Sequence, residues 1–235
     1  MIRLYYMKLD GDCSKEQSLA LYQTLPQKRK EAVDRARNEE VAKKRLYTGA
    51  FLQHVLSKET GLLEEQLHYE YNQWGKPKLV NAPNVHFNLS HSGEYVVLAV
   101  SDHPVGVDVE HKSKQYLSLA KRCFCKEEYE DILSLQDENA RRRRFLEYWT
   151  MKEAYIKFVG EGMRIPLNSF QFSRGMNGIS ELEEQELYCG TFFLQEDYCV
   201  SVCGMQQEDL CALVSEKMGD TICRVQMTNG VIFCS

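Results

Sequence analysis

The sequence predicts an α+β fold of two similar halves, each a small antiparallel sheet packed with helices, in a pseudo-twofold arrangement. Three observations support this prediction. The order strand, helices, strands occurs twice, before and after about residue 104. Six consecutive apolar residues at 95–100 are typical of a strand buried on both faces. The segment 139–159 is apolar around nearly its whole circumference, as expected for a helix buried on several sides. We therefore divide the chain into residues 1–104 and 105–235.

The first half is predicted to open with a strand and to continue with two helices and several short strands. Residues 1–9 alternate loosely, which favours a strand. Pro26 stands at a plausible first helical position, and Gly61 follows the last helical residue. The predicted elements are a strand at 1–9, helices at 27–36 and 38–58, a strand at 67–71, and a hairpin of strands at 85–89 and 95–100.

The second half is predicted to contain one short strand, three helices and a final group of strands. Gly160 and Gly162 end the longest helix, and Pro166 prevents it from restarting. The tail 206–235 gives only weak strand signals, so the sequence does not place it. The predicted elements are a strand at 106–110, helices at about 115–122, 126–135 and 139–159, strands at 170–173, 189–194 and 198–204, and the weak signals at 221–226 and 230–234.

Length and composition indicate an ordinary globular protein. The chain has 235 residues, of which 43% are hydrophobic and 27% charged, with a net charge of −5. This length can bury a substantial core. The negative charge disfavours binding to nucleic acid or to an anionic membrane, except through a local basic cluster. No segment approaches the roughly 20 apolar residues of a membrane-spanning helix, and the first residues do not resemble a signal peptide. We therefore expect a cytoplasmic protein.

The nine cysteines are irregularly spaced and include no C-x-x-C motif. That pattern predicts reduced thiols in the core and on the surface rather than a structural zinc site. A redox or metal role for Cys123 and Cys125 is the less favoured alternative.

Two carboxylates in the strand 106–110 are the first candidate functional feature. Strand alternation places Asp108 and Glu110 on one face, and Val107 and Val109 on the other. Like charges held close together raise each other's pKa, and a hard cation such as Mg²⁺ removes that cost. The alternative is a half-exposed strand whose polar face lies in water, which the neighbouring motifs disfavour.

Two charged residues in the long buried helix are the second candidate feature. Glu153 and Lys157 are four residues apart and therefore share one face. Because burying a charge costs roughly several kcal/mol, each needs compensation. A structural salt bridge would provide it. A third carboxylate that faces a metal, beside a lysine that faces phosphate, would provide it as well.

Basic groups in the first half predict an anion site. Residues 28–30 and 43–45 are basic runs on predicted helices, Lys76 lies in a stiff Gly-Lys-Pro turn, and His91 stands in a Ser-His-Ser-Gly turn. Hydroxyl and basic groups together suit a phosphate, although basic runs on helices are most often solvated faces. Since clefts between domains often form ligand pockets, we expect these groups to meet the acidic residues where the halves join.

Three separated motifs now occur in one order and with characteristic spacings. They are GKP at 75–77, FNLSHSG at 87–93 with GVDVE at 106–110, and WTMKEAYIKFVGEGMRIPLNSF at 149–170. Together they resemble the 4′-phosphopantetheinyl transferases of the longer, pseudo-dimeric Sfp type. The segments AKRCFCKEEY and PQKRKE are also similar to family segments. The resemblance covers most of the chain, from Pro26 to about Gly204.

The resemblance implies an enzyme that transfers the 4′-phosphopantetheine arm of coenzyme A to a serine of an acyl or peptidyl carrier protein. Its cofactor would be Mg²⁺, and adenosine 3′,5′-bisphosphate would be released. Carried over by motif, Asp108, Glu110 and Glu153 would hold the metal, and Glu153 is the candidate base for the incoming serine, directly or through water. Lys157 would neutralise charge that develops on the pyrophosphate.

The resemblance also assigns groups to coenzyme A. His91, with Ser90, would bind its 3′-phosphate side, and Lys28 and Lys76 match the phosphate-binding lysines of the family. Residues 1–104 would then form the coenzyme A phosphate and adenine side. Residues 105–235 would carry the metal and face the carrier protein. Two halves in one chain imply a monomer.

The chain departs from the family pattern at several positions. Glu31 stands where a second phosphate-binding lysine is usual, and Lys30 or Arg29 could replace it. Leu46 stands where a small hydroxyl residue is common. Phe124 lies where family members contact the carrier protein and the pantetheine arm.

Two other functions are consistent with the same residues. One is a Mg²⁺-dependent hydrolase of nucleotide pyrophosphates, which needs no protein acceptor. The other is a non-catalytic coenzyme A-binding module. Neither explains the Lys157 spacing together with the His-Ser-Gly sequence. Whether the carrier belongs to fatty acid, polyketide or peptide synthesis is not readable from the sequence.

Overall fold

The structure is a computed structural model that describes residues 1–11, 13–111, 116–175, 178–182, 186–215, 222–228 and 231–234. These residues contain seven α-helices and twelve β-strands. The strands form two five-stranded sheets and a two-stranded ribbon. The predicted α+β class in two halves is confirmed. Among the described residues, no helix combines the length and apolar character needed to cross a bilayer.

The first half contains every element that the sequence predicted, together with a helix at Lys15–Thr24 and a short strand at Pro77–Leu79 that it did not predict. The elements are β1 (Ile2–Lys8), α1 (Lys15–Thr24), α2 (Gln27–Asp34), α3 (Glu39–Thr60), β2 (Tyr69–Tyr71), β3 (Pro77–Leu79), β4 (His86–Ser92) and β5 (Tyr95–Ser101). Helix α1 was missed because its apolar contact is weak: none of its residues is fully buried, and Leu21 and Tyr22 pack against the core only in part. Its start does carry a signal, a capping box between Ser14 and Gln17.

The second half follows the prediction up to the end of its longest helix. The elements are β6 (Gly106–His111), α4 (Tyr116–Cys123), α5 (Lys126–Ser134), α6 (Glu138–Val159), β7 (Ser173–Arg174), β8 (Ile179–Leu182), β9 (Leu187–Leu194), β10 (Tyr198–Gly204), α7 (Gln207–Ser215), β11 (Ile222–Thr228) and β12 (Val231–Cys234). The predicted strand at 170–173 is irregular except at Ser173, and its apolar residues Phe170 and Phe172 pack their rings against Tyr155 instead of entering a sheet. Residues 115, 221 and 230 of the predicted ranges lie outside the described residues.

The strand order places the end of the chain beside its beginning. One sheet has the order β12-β11-β1-β5-β4, and the other has the order β6-β10-β9-β8-β7. Strand β11 pairs with β1 in parallel, so the first sheet is mixed and the prediction of a purely antiparallel sheet is wrong for this pair. The unplaced tail therefore contributes α7 and two strands, and those strands lie in the sheet of the first half.

Each sheet is covered by one long helix, and the two helices are built alike. Helices α3 and α6 both have 22 residues and begin at a side-chain cap, from Asn38 and Asp137 respectively. Both end at a glycine in the left-handed conformation, Gly61 and Gly160. These caps fix where each helix ends relative to its sheet.

A shared core joins the two halves. Strand β5 is buried along its whole length, as the apolar run predicted. Val96 and Leu98 face the core under α3, whereas Val97 and Ala99 face a second core that also contains β6 and β10. The halves are therefore packed through β1 and β5 on one side and β6 and β10 on the other.

Two cysteines differ from the prediction of reduced thiols. Cys189 and Cys203 lie opposite one another in β9 and β10 and form a disulfide. Their separation of 14 residues carries no sequence signal, because only the pairing of the two strands brings them together. Cys123 and Cys125 are free thiols in the structure.

Candidate active site

The candidate site begins at a seam where the edges of the two sheets meet. Strand β4 is the edge of one sheet and β6 is the edge of the other. An edge strand presents backbone N–H groups that need acceptors, and here alternate side chains of β4 accept them. The three contacts are Val107 N to Asn88 Oδ1 at 2.9 Å, Val109 N to Ser90 Oγ at 3.3 Å, and His111 N to Ser92 Oγ at 3.2 Å.

The seam brings Asp108, Ser90 and Lys157 into one hydrogen-bonded cluster. Asp108 is buried, with 3% of its surface exposed. Its Oδ1 accepts hydrogen bonds from Ser90 Oγ at 2.8 Å and from Lys157 Nζ at 2.6 Å. Lys157 Nζ also donates to Ser90 Oγ at 2.7 Å. The sequence predicted that β6 and α6 would meet, and these contacts join them through a residue of the first half.

The other two predicted acidic residues lie beside this cluster. Glu110 Oε2 accepts a hydrogen bond from Ser92 Oγ at 2.8 Å. Burial raises the pKa of Glu110 and of Glu153, and the charge of Asp108 raises both further. The pKa of Asp108 is also raised by burial, against the opposing effect of Lys157. The mutual effect was expected from the D-x-E pattern, but burial is the larger cause.

A glycine allows this close approach of strand and helix. Gly106 lies in β6 directly against α6, and a Cβ atom there would stand 2.1 Å from Ala154 O and 2.6 Å from Phe158 N. No side chain fits in that space. Gly106 therefore sets how near Glu153 and Lys157 come to Asp108, a role that the sequence did not reveal because it depends on packing between distant segments.

The acidic residues suit a hard cation by their chemistry. Asp108 Oδ2 is buried and has no hydrogen-bond partner among the described residues. Carboxylate oxygens are the usual protein ligands of Mg²⁺. In the part of the chain that the structure describes, however, no three His, Cys, Asp or Glu side chains are grouped as a ready-made metal site. The assignment of Asp108, Glu110 and Glu153 as ligands stays a prediction.

A basic cavity lies on the opposite face of β4. His91 is in strand β4 rather than in the predicted turn, so it points away from its neighbour Ser90. It lines a cavity of about 550 Å³, and an adjacent one of about 280 Å³ is lined by Arg29, Arg45 and His91 as well. Among the described residues, none that lines either cavity is acidic. The lining residues of the larger cavity are Lys28, Arg29, Ala32, Arg35, Arg45, Tyr71, Gly75, Pro77 and His91.

Arg29 and Lys30 are the candidates to replace the phosphate-binding lysine that is usual where Glu31 stands, and the structure distinguishes them. Arg29 lines both cavities, and burial lowers its pKa, as expected for a cation without a counter-charge. Lys30 instead donates to Gln23 O at 2.9 Å. Glu31 itself pairs with Arg35 at 2.5 Å. Arg29 is therefore the residue that presents a charge to the cavity.

Three of the remaining predicted groups occupy different surroundings. Lys28 holds its ammonium 3.5 Å from the centre of the Tyr71 ring, at the basic cavity. Lys76 is turned toward α6, where its Nζ donates to Phe158 O at 2.8 Å. Phe124 is buried, with 5% of its surface exposed, and packs against Phe145, so its ring is not available for surface contact.

The structure thus places an acidic cluster with a lysine at the seam of two α+β halves and beside a basic cavity. Comparison with known proteins identifies the family. The model of the 4′-phosphopantetheinyl transferase superfamily matches residues 104–203. The model of the 4′-phosphopantetheinyl transferase N-terminal region matches residues 12–103.

Individual relatives agree with the family models. The chain is 29% identical over 206 residues to the 4′-phosphopantetheinyl transferase Sfp of Bacillus subtilis (strain 168), which covers 86% of this chain and 92% of that protein. It is 31% identical over 211 residues to the transferase ffp of Bacillus subtilis, covering 88% and 94% respectively. It is 37% identical over 166 residues to psf-1 of Bacillus pumilus, covering 69% and 71%. The chain belongs to the 4′-phosphopantetheinyl transferase superfamily and is a transferase of the Sfp type.

Proposed function

We propose that this enzyme transfers the 4′-phosphopantetheine arm of coenzyme A to a serine of an acyl or peptidyl carrier protein, in a Mg²⁺-dependent reaction. The observation that carries this proposal is the Asp108–Lys157–Ser90 cluster at the seam, with a cavity lined by cations on the other face of the same strand. A substrate that carries a pyrophosphate and a separate 3′-phosphate needs two regions, one that holds the pyrophosphate through a cation and a lysine and one that binds the 3′-phosphate through basic side chains.

In the proposed reaction the serine oxygen bonds to the phosphorus next to the pantetheine arm. The bond from that phosphorus to the bridging pyrophosphate oxygen breaks, and adenosine 3′,5′-bisphosphate leaves with the bonding electrons. Glu153, as the base, takes the serine proton directly or through water. Lys157 neutralises charge on the oxygens that gain it. Such a transfer depends mostly on alignment and electrostatic stabilisation.

Asp108, Glu110 and Glu153 are the residues that would hold Mg²⁺. The unpartnered, buried Oδ2 of Asp108 supports this assignment. When bound, the cation would neutralise pyrophosphate oxygens and position them for transfer. Ser90 and Ser92 hold the two strand carboxylates in place.

Lys28, Arg29, Arg45 and His91 are the proposed contacts of the 3′-phosphate. The family resemblance pairs His91 with Ser90, but these side chains lie on opposite faces of β4, so we assign Ser90 to the cluster at the seam. We further propose that residues 1–104 form the coenzyme A side and 105–235 the metal and carrier side of a cytoplasmic monomer.

Replacing Arg29 should weaken the use of coenzyme A through its 3′-phosphate. A hydrogen bond to a charged group contributes about 1.5–3 kcal/mol, so Arg29→Ala should raise the KM for coenzyme A by about 10- to 100-fold. The KM for dephospho-coenzyme A, which lacks that phosphate, should change little. Lys30→Ala is the matched control and should alter neither value. Equal increases for both substrates would contradict the assignment of Arg29.

The activity, measured as kcat/KM, should fall on the acid side at a pH above the pKa of ordinary carboxyl groups, which is about 4. Asp108, Glu110 and Glu153 all have raised pKa values, with burial as the first cause. Each loses its charge as the pH falls through its raised folded-state pKa, so transfer should fail there. Since these three carboxyls bind fewer protons in the unfolded chain in that window, their contribution to stability should rise as the pH falls.

The pH prediction is checked by measuring kcat/KM and Tm across the same acidic series. Activity should fall toward acid pH, and the Tm of Glu153→Gln should gain less from acidification than the Tm of the unaltered enzyme, because one of the three carboxyls is then absent. Added Mg²⁺ should shift the acid limb to lower pH, because the cation competes with protons for the carboxylates. An acid limb at the pH of ordinary carboxylates, unaffected by Mg²⁺, would contradict both the pKa directions and the ligand assignment.

The proposed function is tested by incubating the enzyme with coenzyme A, Mg²⁺ and a panel of apo carrier proteins, then measuring carrier masses. A mass gain equal to the phosphopantetheine arm supports the transfer. The same carriers with the acceptor serine replaced by alanine should gain nothing. Coenzyme A cleavage without a modified carrier would support the pyrophosphate hydrolase instead. Binding of coenzyme A without either product would support the non-catalytic module.

A further inference from the structure

We propose that the loop from Asn72 to Lys76 acts as a clasp on the C-terminal end of α6 and thereby positions Lys157 for the reaction. Lys76 would then be a positioning residue that acts through the helix, rather than a direct contact of coenzyme A. This inference rests on the proposed function, since it concerns the same reaction.

The clasp begins with a loop that Asn72 makes rigid. Its Oδ1 accepts hydrogen bonds from the backbone N–H groups of Trp74 and Lys76, both at 2.9 Å. The backbone adds Asn72 N to Lys76 O at 3.0 Å and Gly75 N to Asn72 O at 2.9 Å. The side-chain oxygen of Asn72 is thus used within the loop, and its amide nitrogen is free to point outward.

Two hydrogen bonds from this loop reach the end of the helix. Asn72 Nδ2 donates to Gly160 O at 2.8 Å, and Lys76 Nζ donates to Phe158 O at 2.8 Å. The last carbonyl groups of a helix have no partner within the helix. A cation at that end is also favoured by the helix dipole. The loop of one half therefore completes the helix of the other.

Packing reinforces these hydrogen bonds. A Cβ atom on Gly160 would stand 2.5 Å from Lys76 Cδ, so the stem of the lysine lies directly on the helix cap. Arg164, which follows α6, places its guanidinium 4.6 Å from the centre of the Trp74 ring. Burial lowers the pKa of Lys76 to about 8. This ammonium is committed to an enclosed contact and does not extend into the basic cavity.

The clasp holds the last turn of α6, which carries Lys157. That residue lies three positions before Gly160 and places its Nζ 2.6 Å from Asp108 Oδ1. Gly160 N also closes the turn by donating to Ile156 O at 2.8 Å. If the end of α6 frays, Lys157 is the first charged residue of the site to lose its position. A displacement of about 1 Å at a reacting group can cost about 10²-fold in rate.

The experiment compares Lys76→Met, which keeps the apolar stem but removes the ammonium, with Asn72→Ala and with Lys76→Arg. A positioning role predicts a fall in kcat of about tenfold for Lys76→Met and Asn72→Ala, with the KM for coenzyme A unchanged. Lys76→Arg can still donate to Phe158 O and should restore most of kcat. Hydrogen exchange, measured without substrate, should speed up at the backbone amides of residues 157–160 in the first two variants.

Lys78→Met is the matched control. Lys78 lies two residues away, is mostly exposed and pairs with Glu70 on the neighbouring strand. It should change neither kcat nor hydrogen exchange in α6. A raised KM for coenzyme A in Lys76→Met, with α6 exchange unchanged, would overturn the clasp and restore the direct phosphate contact. The exchange measurement needs no carrier protein. If the unaltered enzyme transfers nothing to any carrier while exchange is faster in Lys76→Met and Asn72→Ala, the proposed function is refuted and the contact between the loop and α6 still stands.

Discussion

Glu153→Gln is expected to remove almost all transfer activity while leaving the protein as stable as before or more stable. Glu153 has no hydrogen bond or ion pair in the described part of the chain, and its pKa is raised by burial and then by the charge of Asp108. A raised carboxylate pKa means that the charged form is disfavoured in the folded protein. Removing the charge therefore relieves a cost at neutral pH. Removing the base should lower kcat by about 10²- to 10⁴-fold.

Glu147→Gln on the same helix is the matched control, in which stability should change and activity should not. Glu147 pairs with Arg144 at 3.2 Å and with Arg174 at 3.1 Å, well outside the cluster. Its substitution should lower Tm slightly and leave kcat unchanged, since a partly exposed ion pair contributes about 0–1 kcal/mol. Carrier mass analysis for activity and thermal unfolding for stability measure both variants. Full activity of Glu153→Gln would refute its role as base and as a metal ligand.

Local patterns predicted most of the fold because most elements carry their own signal. The apolar run of β5 and the apolar circumference of α6 identified both elements without reference to any partner. The tail had weaker signals, and its place depends on β11 pairing in parallel with β1, more than 200 residues earlier. Periodicity indicates that a strand exists, but it does not indicate which strand lies beside it.

The site was predicted to the extent that its residues follow alternation or helical spacing. Asp108 and Glu110 on one face of β6, and Glu153 and Lys157 on one face of α6, follow from local geometry alone. The contacts of β4 at the seam do not follow from local geometry, because they depend on which strand lies beside β4. The alternation of Asn88, Ser90 and Ser92 nevertheless indicates a polar strand edge. Likewise, a motif implied that Lys76 faces phosphate, whereas its nearest acceptor belongs to a helix of the other half.

Gly106→Ala should separate the two elements that form the site, and it is the sharpest test of the seam as a catalytic structure. A Cβ atom would stand 2.1 Å from Ala154 O, 2.6 Å from Phe158 N and 2.8 Å from Phe158 Cβ. The first two atoms belong to backbone that cannot rotate away, so α6 must move back from β6 or deform. Lys157 lies in that turn of the helix and would lose its 2.6 Å contact with Asp108.

The expected cost is about 1–3 kcal/mol in the free energy of unfolding, as for other overpacked cores. The kcat should fall about 10²-fold, because the displaced groups act directly in the reaction. Urea unfolding and carrier mass analysis measure the two effects. Gly11→Ala is the matched control, since its new Cβ atom would stand 3.5 Å from Met227, an ordinary contact, and both quantities should stay unchanged. Normal activity in Gly106→Ala would mean that α6 can shift without disturbing the cluster, and the proposed mechanism would then be wrong about how Lys157 is used.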